Sequence, residues 1–202
     1  EMEGKPWEVF LRMTRSNPAP FSSWLNLADY GWAIASASPE RLMRLESGIV
    51  STRPIKGTRP RGKSDSEDSN LRLELASSEK EMAEHLMLVD LERHDLASVC
   101  KKGSVNWSEC RIEALANVQH LVSGVEGKLS PNTSVGKSLA SLFPGGSITG
   151  CPKVVTMAAI DELEGSPRSA WTGSIGHINQ SSGQSDWNIL IRTMEARSGP
   201  DS

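Results

Sequence analysis

A carboxyl group and an amine flank one turn signal in this sequence. Glu40 closes the run SASPE, Lys56 sits inside RPIKGT, and Glu46-Ser47-Gly48 lies between them. If that turn closes a hairpin centred on Ser47, Glu40 faces Pro54 across the ribbon. Lys56 is then only two residues further along, roughly 7 Å of strand rise. A lysine amine desolvated there can act as nucleophile or base, and a glutamic acid with a raised pKa can protonate a leaving hydroxyl. The same spacing also suits a surface salt bridge, which is the commoner use of such a pair.

A second acidic pair is Glu81 and Glu84, three residues apart on a strongly helical stretch, with Leu88, Leu91 and Asp95 continuing their stripe. Two carboxylates on one face can hold Mg²⁺ together with substrate oxygens and water, or form a solvated acidic face beside Lys80. The run FPGGSITGCPK superficially suggests a phosphate-binding loop, but Cys151 follows Gly150 where that motif requires lysine, so a nucleotide triphosphatase is not expected. Its glycines can still deliver backbone N–H groups to an anion such as a carboxylate, or form a tight turn with no ligand. Arg192 stands in the apolar run ILIRT, where a charge is costly unless it is paired or faces a ligand. The four histidines lack metal-ligand spacing, which does not support a zinc site, and the three cysteines, Cys100, Cys110 and Cys151, read as small buried residues.

These residues need a framework, and the sequence outlines one. SSWLNLADYGWAIASAS and RLMRLESGIVSTRPI alternate as strands, with turns at Asp29 to Gly31 and Glu46 to Gly48. The polar stretch RPRGKSDSEDS, 59–69, has the composition of a surface loop. Ser78 and Glu81 form a capping box that starts a helix running to about Val99. An irregular connection then leads to a strand around Val118 to Val125. SVGKSLASLF forms a short helix, Pro152 opens another from its first turn, and the last third folds as a hairpin around Ser181-Ser182-Gly183. No internal repeat is present.

With 202 residues and 37% apolar composition the chain can bury a sizeable core. A net charge of −3 without basic blocks argues against a nucleic-acid partner. No apolar run reaches the roughly 18 residues of a membrane span, and EMEGKPWEVF lacks a signal-peptide core. An odd cysteine count without a CxxC pair points to a reducing, cytoplasmic setting.

Taken together and in order, SASPERL (36–42), RPIKGTRPRG (53–62), EMAEHLMLVDLERHDLASVC (81–100), VQHLVSGVEGKL (118–129), LFPGGSITGCPK (142–153), WTGSIG (171–176) and DWNILIRT (186–193) resemble the chorismate-utilising enzymes. This family includes the large subunits of anthranilate synthase and aminodeoxychorismate synthase and the isochorismate synthases. The resemblance implies an α/β fold in the loose, α+β sense: largely antiparallel β-sheets packed as a sandwich, helices outside, and the site between the sheets. Residues 1–202 would be the central part of the chorismate-binding catalytic domain.

Anthranilate-forming members look like PIAGT where this chain has Pro54-Ile55-Lys56-Gly57-Thr58, so the lysine marks the aminodeoxychorismate-forming branch. By resemblance, Lys56 attacks C2 of chorismate, Glu40 protonates the departing 4-hydroxyl, and ammonia adds at C4 and expels the lysine. Lys56 must then be unprotonated, with its pKa lowered by desolvation, while Glu40 keeps its proton. Glu81 and Glu84 would hold Mg²⁺ against the ring carboxylate. His120 and Ser147 would lie against the ring with Thr149 and Gly150 close by, and Trp171 and Arg192 would bind the enolpyruvyl carboxylate. The ammonia would come from a glutamine amidotransferase, separate or fused.

The sequence departs from the family pattern at His94, where asparagine is frequent, and at His177, where an aromatic residue often follows SIG. The family also carries an N-terminal region and, beyond IRTMEA, a glycine-rich segment with a second pair of metal-binding glutamates. The chain is therefore expected to be truncated at both ends, with half a metal site. Within the family the product could instead be anthranilate or isochorismate, and outside enzymology the chain could be a non-catalytic chorismate-binding fragment.

Overall fold

The computed structural model describes residues 5–197, so the first four residues of the N-terminal stretch lie outside it. The chain opens with α1 (Pro6–Ser16), then β1 (Phe21–Leu27) and β2 (Trp32–Ser38), joined by a 3-10 turn over Ala28–Tyr30. Next come β3 (Arg41–Glu46), β4 (Ile49–Arg53), β5 (Ile55–Pro60), α2 (Asp65–Ser77), α3 (Glu79–Ala97), β6 (Asn106–Ala114) and β7 (Val118–Lys128). The remainder is α4 (Val135–Leu142), α5 (Gly146–Thr149), α6 (Lys153–Glu164), β8 (Gly176–Ile178), β9 (Ser185–Asn188) and β10 (Thr193–Arg197).

All strand pairs are antiparallel, in two sheets. The smaller has the order β1-β2-β10. In the larger, β7 is the hub. Val125 pairs with both Thr52 and Trp107, and Val122 with both Ile55 and Arg111. A strand has only two edges, so β4 and β5 follow one another along the edge opposite β6. They amount to one long strand broken at Pro54, which has no N–H to give to the ladder; its carbonyl still accepts from the Ser123 N–H. Beyond β4 the sheet continues through β3 and β9 to β8.

Two crossovers stitch the sheets together, and both carry candidate site residues. Pro39 and Glu40 pass the chain from β2 in the small sheet to β3 in the large one, and 189–192 return it from β9 to β10. The crossovers lie side by side. The Ile189 N–H donates to the Glu40 carbonyl at 3.1 Å, the Ser38 hydroxyl donates to the Ile189 carbonyl at 2.6 Å, and the Ala37 N–H donates to the Arg192 carbonyl. Beneath the large sheet Leu42, Met43, Val50, Val89, Leu96, Val125 and Leu142 form the core between β3, β4, β7, α3 and α4. Each fully buried side chain of this kind contributes about 1.5–3 kcal/mol.

The β3–β4 hairpin differs from the sequence expectation in one instructive way. Its turn is the two-residue Ser47-Gly48, both with positive φ, so Glu46 faces Ile49 and opposing residues are offset by one from a ribbon centred on Ser47. A bulge between Arg41 and Arg44 removes the offset, and Arg41 faces Arg53 as it would in that ribbon.

Four expectations are corrected. The stretch 59–69 is not a loop: β5 extends to Pro60, and α2 starts after Ser64, whose hydroxyl accepts from the Glu67 N–H while Glu67 accepts from Lys63 N–H. The connection before Val118 is strand β6, an edge strand whose exposed, polar face hides the usual alternation. Pro152 is the residue before α6 and not inside its first turn, and Cys110 and Cys151 are exposed, with only Cys100 buried. All three thiols are free. No helix among the described residues is long and apolar enough to cross a membrane.

Candidate active site

A cleft of about 180 Å³ opens between β5, α3 and the segment 146–151. Lys56, Glu84, Leu88, Leu91, Ser147 and Gly150 line it. Each reaches it for a local reason. Lys56 lies on β5 just past the break at Pro54. Glu84 is on the α3 face turned to β5, and Ser147 and Gly150 belong to the short turn α5 and its end.

Lys56 pairs with a carboxylate, but the partner is Glu84 of α3, at 3.1 Å, and not Glu40. Its side chain is 44% exposed, so the amine is not desolvated by the protein alone. The lysine holds the Glu84 pKa below the usual carboxylate range, with a smaller contribution from Lys80.

Glu40 is the opposite case. At 3% exposure it sits behind Ser147, one oxygen accepting the Ile55 N–H at 3.0 Å. Burial pushes its pKa up to about 7, only partly offset by the Ile55 N–H and the nearby Ser147 hydroxyl, and the Glu92 carboxylate adds to the rise. The Ser147 hydroxyl is itself buried and lacks the geometry of a full hydrogen bond. A carboxyl in this state is a proton donor near neutral pH.

Beside Gly57, Thr58 and His120 face each other across the β5–β7 ladder. The His120 Nδ1 lies 2.9 Å from the Thr58 hydroxyl, and its Nε2 lies 3.1 Å from the Arg192 Nη2. A guanidinium can only donate, so Nε2 accepts and the imidazole proton sits on Nδ1. Burial, then the Arg192 charge, lowers the His120 pKa and keeps the ring neutral. Arg192 has a left-handed backbone at φ 51°, burial lowers its pKa, and its buried Nη1 has no hydrogen-bond partner. A strained residue with uncommitted, desolvated N–H groups is suited to receive an anion.

The other candidates stand apart from the cleft. Glu81 turns to Arg59, 3.3 Å away, so the two carboxylates of the acidic pair face different cations. The Thr149 hydroxyl donates to the Gly145 carbonyl, and this residue lines a separate groove with α6. Trp171 is 52% exposed and lies under the Arg168 guanidinium. His94 and His177 are exposed. Among the described residues no group of three or more histidine, cysteine or acidic side chains could by itself hold a metal ion.

The model of the chorismate binding enzymes matches residues 1–200. The chain belongs to this family. It is 46% identical over 201 residues to the Synechocystis protein named anthranilate synthase component I-like protein, covering 98% of this chain and 41% of that protein. To aminodeoxychorismate synthase component 1 of Salmonella typhimurium it is 46% identical over 198 residues, covering 98% and 43%. The crystal structure of anthranilate synthase component I from Streptococcus pneumoniae superposes with a TM-score of 0.86 at 35% identity, covering 96% of this chain and 42% of that one. The chain thus spans about two fifths of the length of these relatives, as an α/β unit with antiparallel sheets.

Sequence reading missed Glu92, a buried carboxyl on α3 whose pKa burial also raises to about 7. Only its helical spacing from Leu88, Val89 and Leu96, which share its buried face, hinted at it. With Glu40, this predicts an unusual pH dependence of stability. Folding raises both groups from 4.5, so their stabilising contribution is complete below that value and is lost as pH rises through about 7. His85 works against them. Burial lowers its pKa from 6.5 to about 4, so its contribution is present above 6.5 and lost as pH falls toward 4. With two groups against one, the urea midpoint is expected to fall between pH 5 and pH 7.5, by on the order of 3 kcal/mol in stability. A flat or rising midpoint over that range would contradict the burial of the two carboxyls.

Gly146 shows how tightly α5 is seated. A Cβ there would lie 2.7 Å from Leu91 Cδ2 and 2.8 Å from Glu92 Oε1. Gly146→Ala is expected to cost about 1–3 kcal/mol by overpacking, read as a lower urea midpoint. An unchanged midpoint would mean that α5 is not pressed on α3.

Proposed function

We propose that the chain is the chorismate-binding part of an aminodeoxychorismate synthase, which exchanges the 4-hydroxyl of chorismate for an amine on the route to para-aminobenzoate and folate. The observation that carries this reading is Lys56 in the cleft with Ser147, and buried Glu40, protonated near neutral pH, immediately behind that serine. In this reading the Lys56 nitrogen forms a bond to C2 as both ring double bonds shift by one position and the C4–O bond breaks. Glu40 gives its proton to the departing oxygen, which leaves as water. Ammonia then adds at C4 while the C2–N bond breaks, returning the lysine. His120, Ser147 and Gly150 border the ring, and Thr149, whose side chain lines a separate groove, braces the turn that carries Ser147 and Gly150. Arg192 receives the enolpyruvyl carboxylate, and Trp171 joins it only by leaving its stack on Arg168.

Glu84, with Glu81 one turn away, would hold Mg²⁺, since this ion is content with one or two carboxylates, substrate oxygens and water. Bound there it would neutralise the ring carboxylate of chorismate. Lys56 and Arg59 occupy the two carboxylates in the structure and compete with the ion for them. The name "component 1" of the Salmonella relative supports a second component, which we read as a glutamine amidotransferase supplying ammonia. Free thiols fit a cytoplasmic setting.

Equal identity to the Synechocystis protein keeps a second reading open, in which the product is anthranilate, or, elsewhere in the family, isochorismate. Incubation with chorismate, Mg²⁺ and an ammonium salt decides between them, and formation of anthranilate or isochorismate would remove the aminodeoxychorismate reading. Calorimetry with chorismate and Mg²⁺ should give a binding isotherm. Its absence would leave the chain a non-catalytic folding unit.

A further inference from the structure

The turn that carries Ser147 is held in place by a residue outside the cleft. Gly145, which precedes α5, has no side chain to cap it. The Gly146 N–H, one of the free donors at that helix start, is capped instead from α3, by Glu92 Oε1 at 3.1 Å. Glu92 is 3% exposed, and its other oxygen has no partner. Leu88 and Leu91 flank the contact, so the carboxyl lies buried under the first turn of α5. One residue on, Ser147 lies against Glu40.

The charged groups facing Glu92 are few. Lys153, at the start of α6, attracts it; this ammonium is also held by Asp95 and by the Leu142 carbonyl. Asp95, on α3 itself, repels it, and the Glu92 charge in turn bears on Glu40 at the β2–β3 crossover. One cation thus serves two carboxyl groups, Glu92 and Asp95. Lys153 faces Glu92 and not Glu40, so the first negative charge to form on this pair belongs on Glu92.

We propose that Glu92 is a positioning residue: through the Gly146 N–H it fixes the turn that presents Ser147 to Glu40, and by taking the negative charge it keeps the proton on Glu40. Its consequence for catalysis rests on the reading of Glu40 as the acid, but the coupling itself does not. Both carboxyls titrate near neutral pH, where the competition between them is felt.

Carboxyl and amide NMR of the ¹³C,¹⁵N-labelled chain, titrated without chorismate, tests the coupling apart from any activity. In the wild type the Gly146 and Ser147 amide signals should move with the Glu92 carboxyl. In Glu92→Gln that movement should vanish and the Glu40 midpoint should drop by at least roughly 0.3 unit; in Glu40→Gln the Glu92 midpoint should hardly move, because Glu92 ionises while Glu40 still holds its proton. A Gly146 amide indifferent to Glu92, or a Glu40 midpoint unmoved in Glu92→Gln, overturns the proposal. The wild-type titration decides the first point even if a variant fails to fold. Where turnover is measurable, Glu92→Gln should move the alkaline limb of the kcat/KM profile to lower pH with KM unchanged, which a merely structural role would not do.

Discussion

Lys56→Ala is expected to abolish covalent capture of chorismate, with no adduct by mass spectrometry, and to lower turnover on the order of 10⁴-fold in protein extended to the length of its relatives. The structure offers a competing role for this lysine, as the ion-pair partner of Glu84. Lys56→Arg separates the two. Arginine keeps the charge and can hold Glu84, but its guanidinium stays protonated and cannot attack C2. If Lys56 is the nucleophile, both variants lose the adduct; if it serves only the ion pair, Lys56→Arg retains activity. Loss of fold is not a rival explanation. A pair this exposed contributes about 0–1 kcal/mol, so the urea midpoint should hardly move. An adduct in Lys56→Ala would refute the nucleophile.

Glu40→Gln should lower kcat by about 10²- to 10⁴-fold with KM little changed, because glutamine keeps the acceptor for the Ile55 N–H but has no proton to give. The wild-type activity that depends on this proton should be present below about pH 7 and fall as pH rises through that value. Stability should move the other way. Above pH 7 the wild type must ionise a buried carboxyl, whereas the variant has nothing to ionise, so at pH 8 Glu40→Gln should be at least as stable as the wild type. A variant that is both inactive and stabilised cannot be explained by unfolding. Retained turnover would remove Glu40 from the role of acid, and a lower urea midpoint at pH 8 would show that its burial is not what raises its pKa.

Much of the frame was legible because it is written in local chemistry. Ser47-Gly48 marks a tight turn, Ser78 and Glu81 cap α3 as their spacing predicts, with the Ser78 hydroxyl accepting the Glu81 N–H at 3.3 Å, and Gly183 at φ 70° closes the β8–β9 connection. α2 was missed, because its polar composition reads as a loop although Ser64 and Glu67 have the spacing of a helix cap. β6 was harder to see, since an exposed edge strand needs no apolar alternation, and its identity comes from its ladder with β7.

The sequence by itself determined which groups could react. It holds an amine in RPIKGT, an acid in SPE, a guanidinium in ILIRT and an anion-friendly glycine run. These are properties of side-chain chemistry and short spacing, and no fold is needed to read them. Only the tertiary structure decided their states. Glu40 holds its proton to about pH 7 because two adjacent sheet crossovers bury it, Lys56 faces Glu84 because α3 packs on β5, and Ser147 meets Glu40 because Glu92 on α3 caps α5 from below. Burial and pairing depend on residues far apart in the chain, so the free energies that set a pKa or an ion-pair partner arise only when those segments meet.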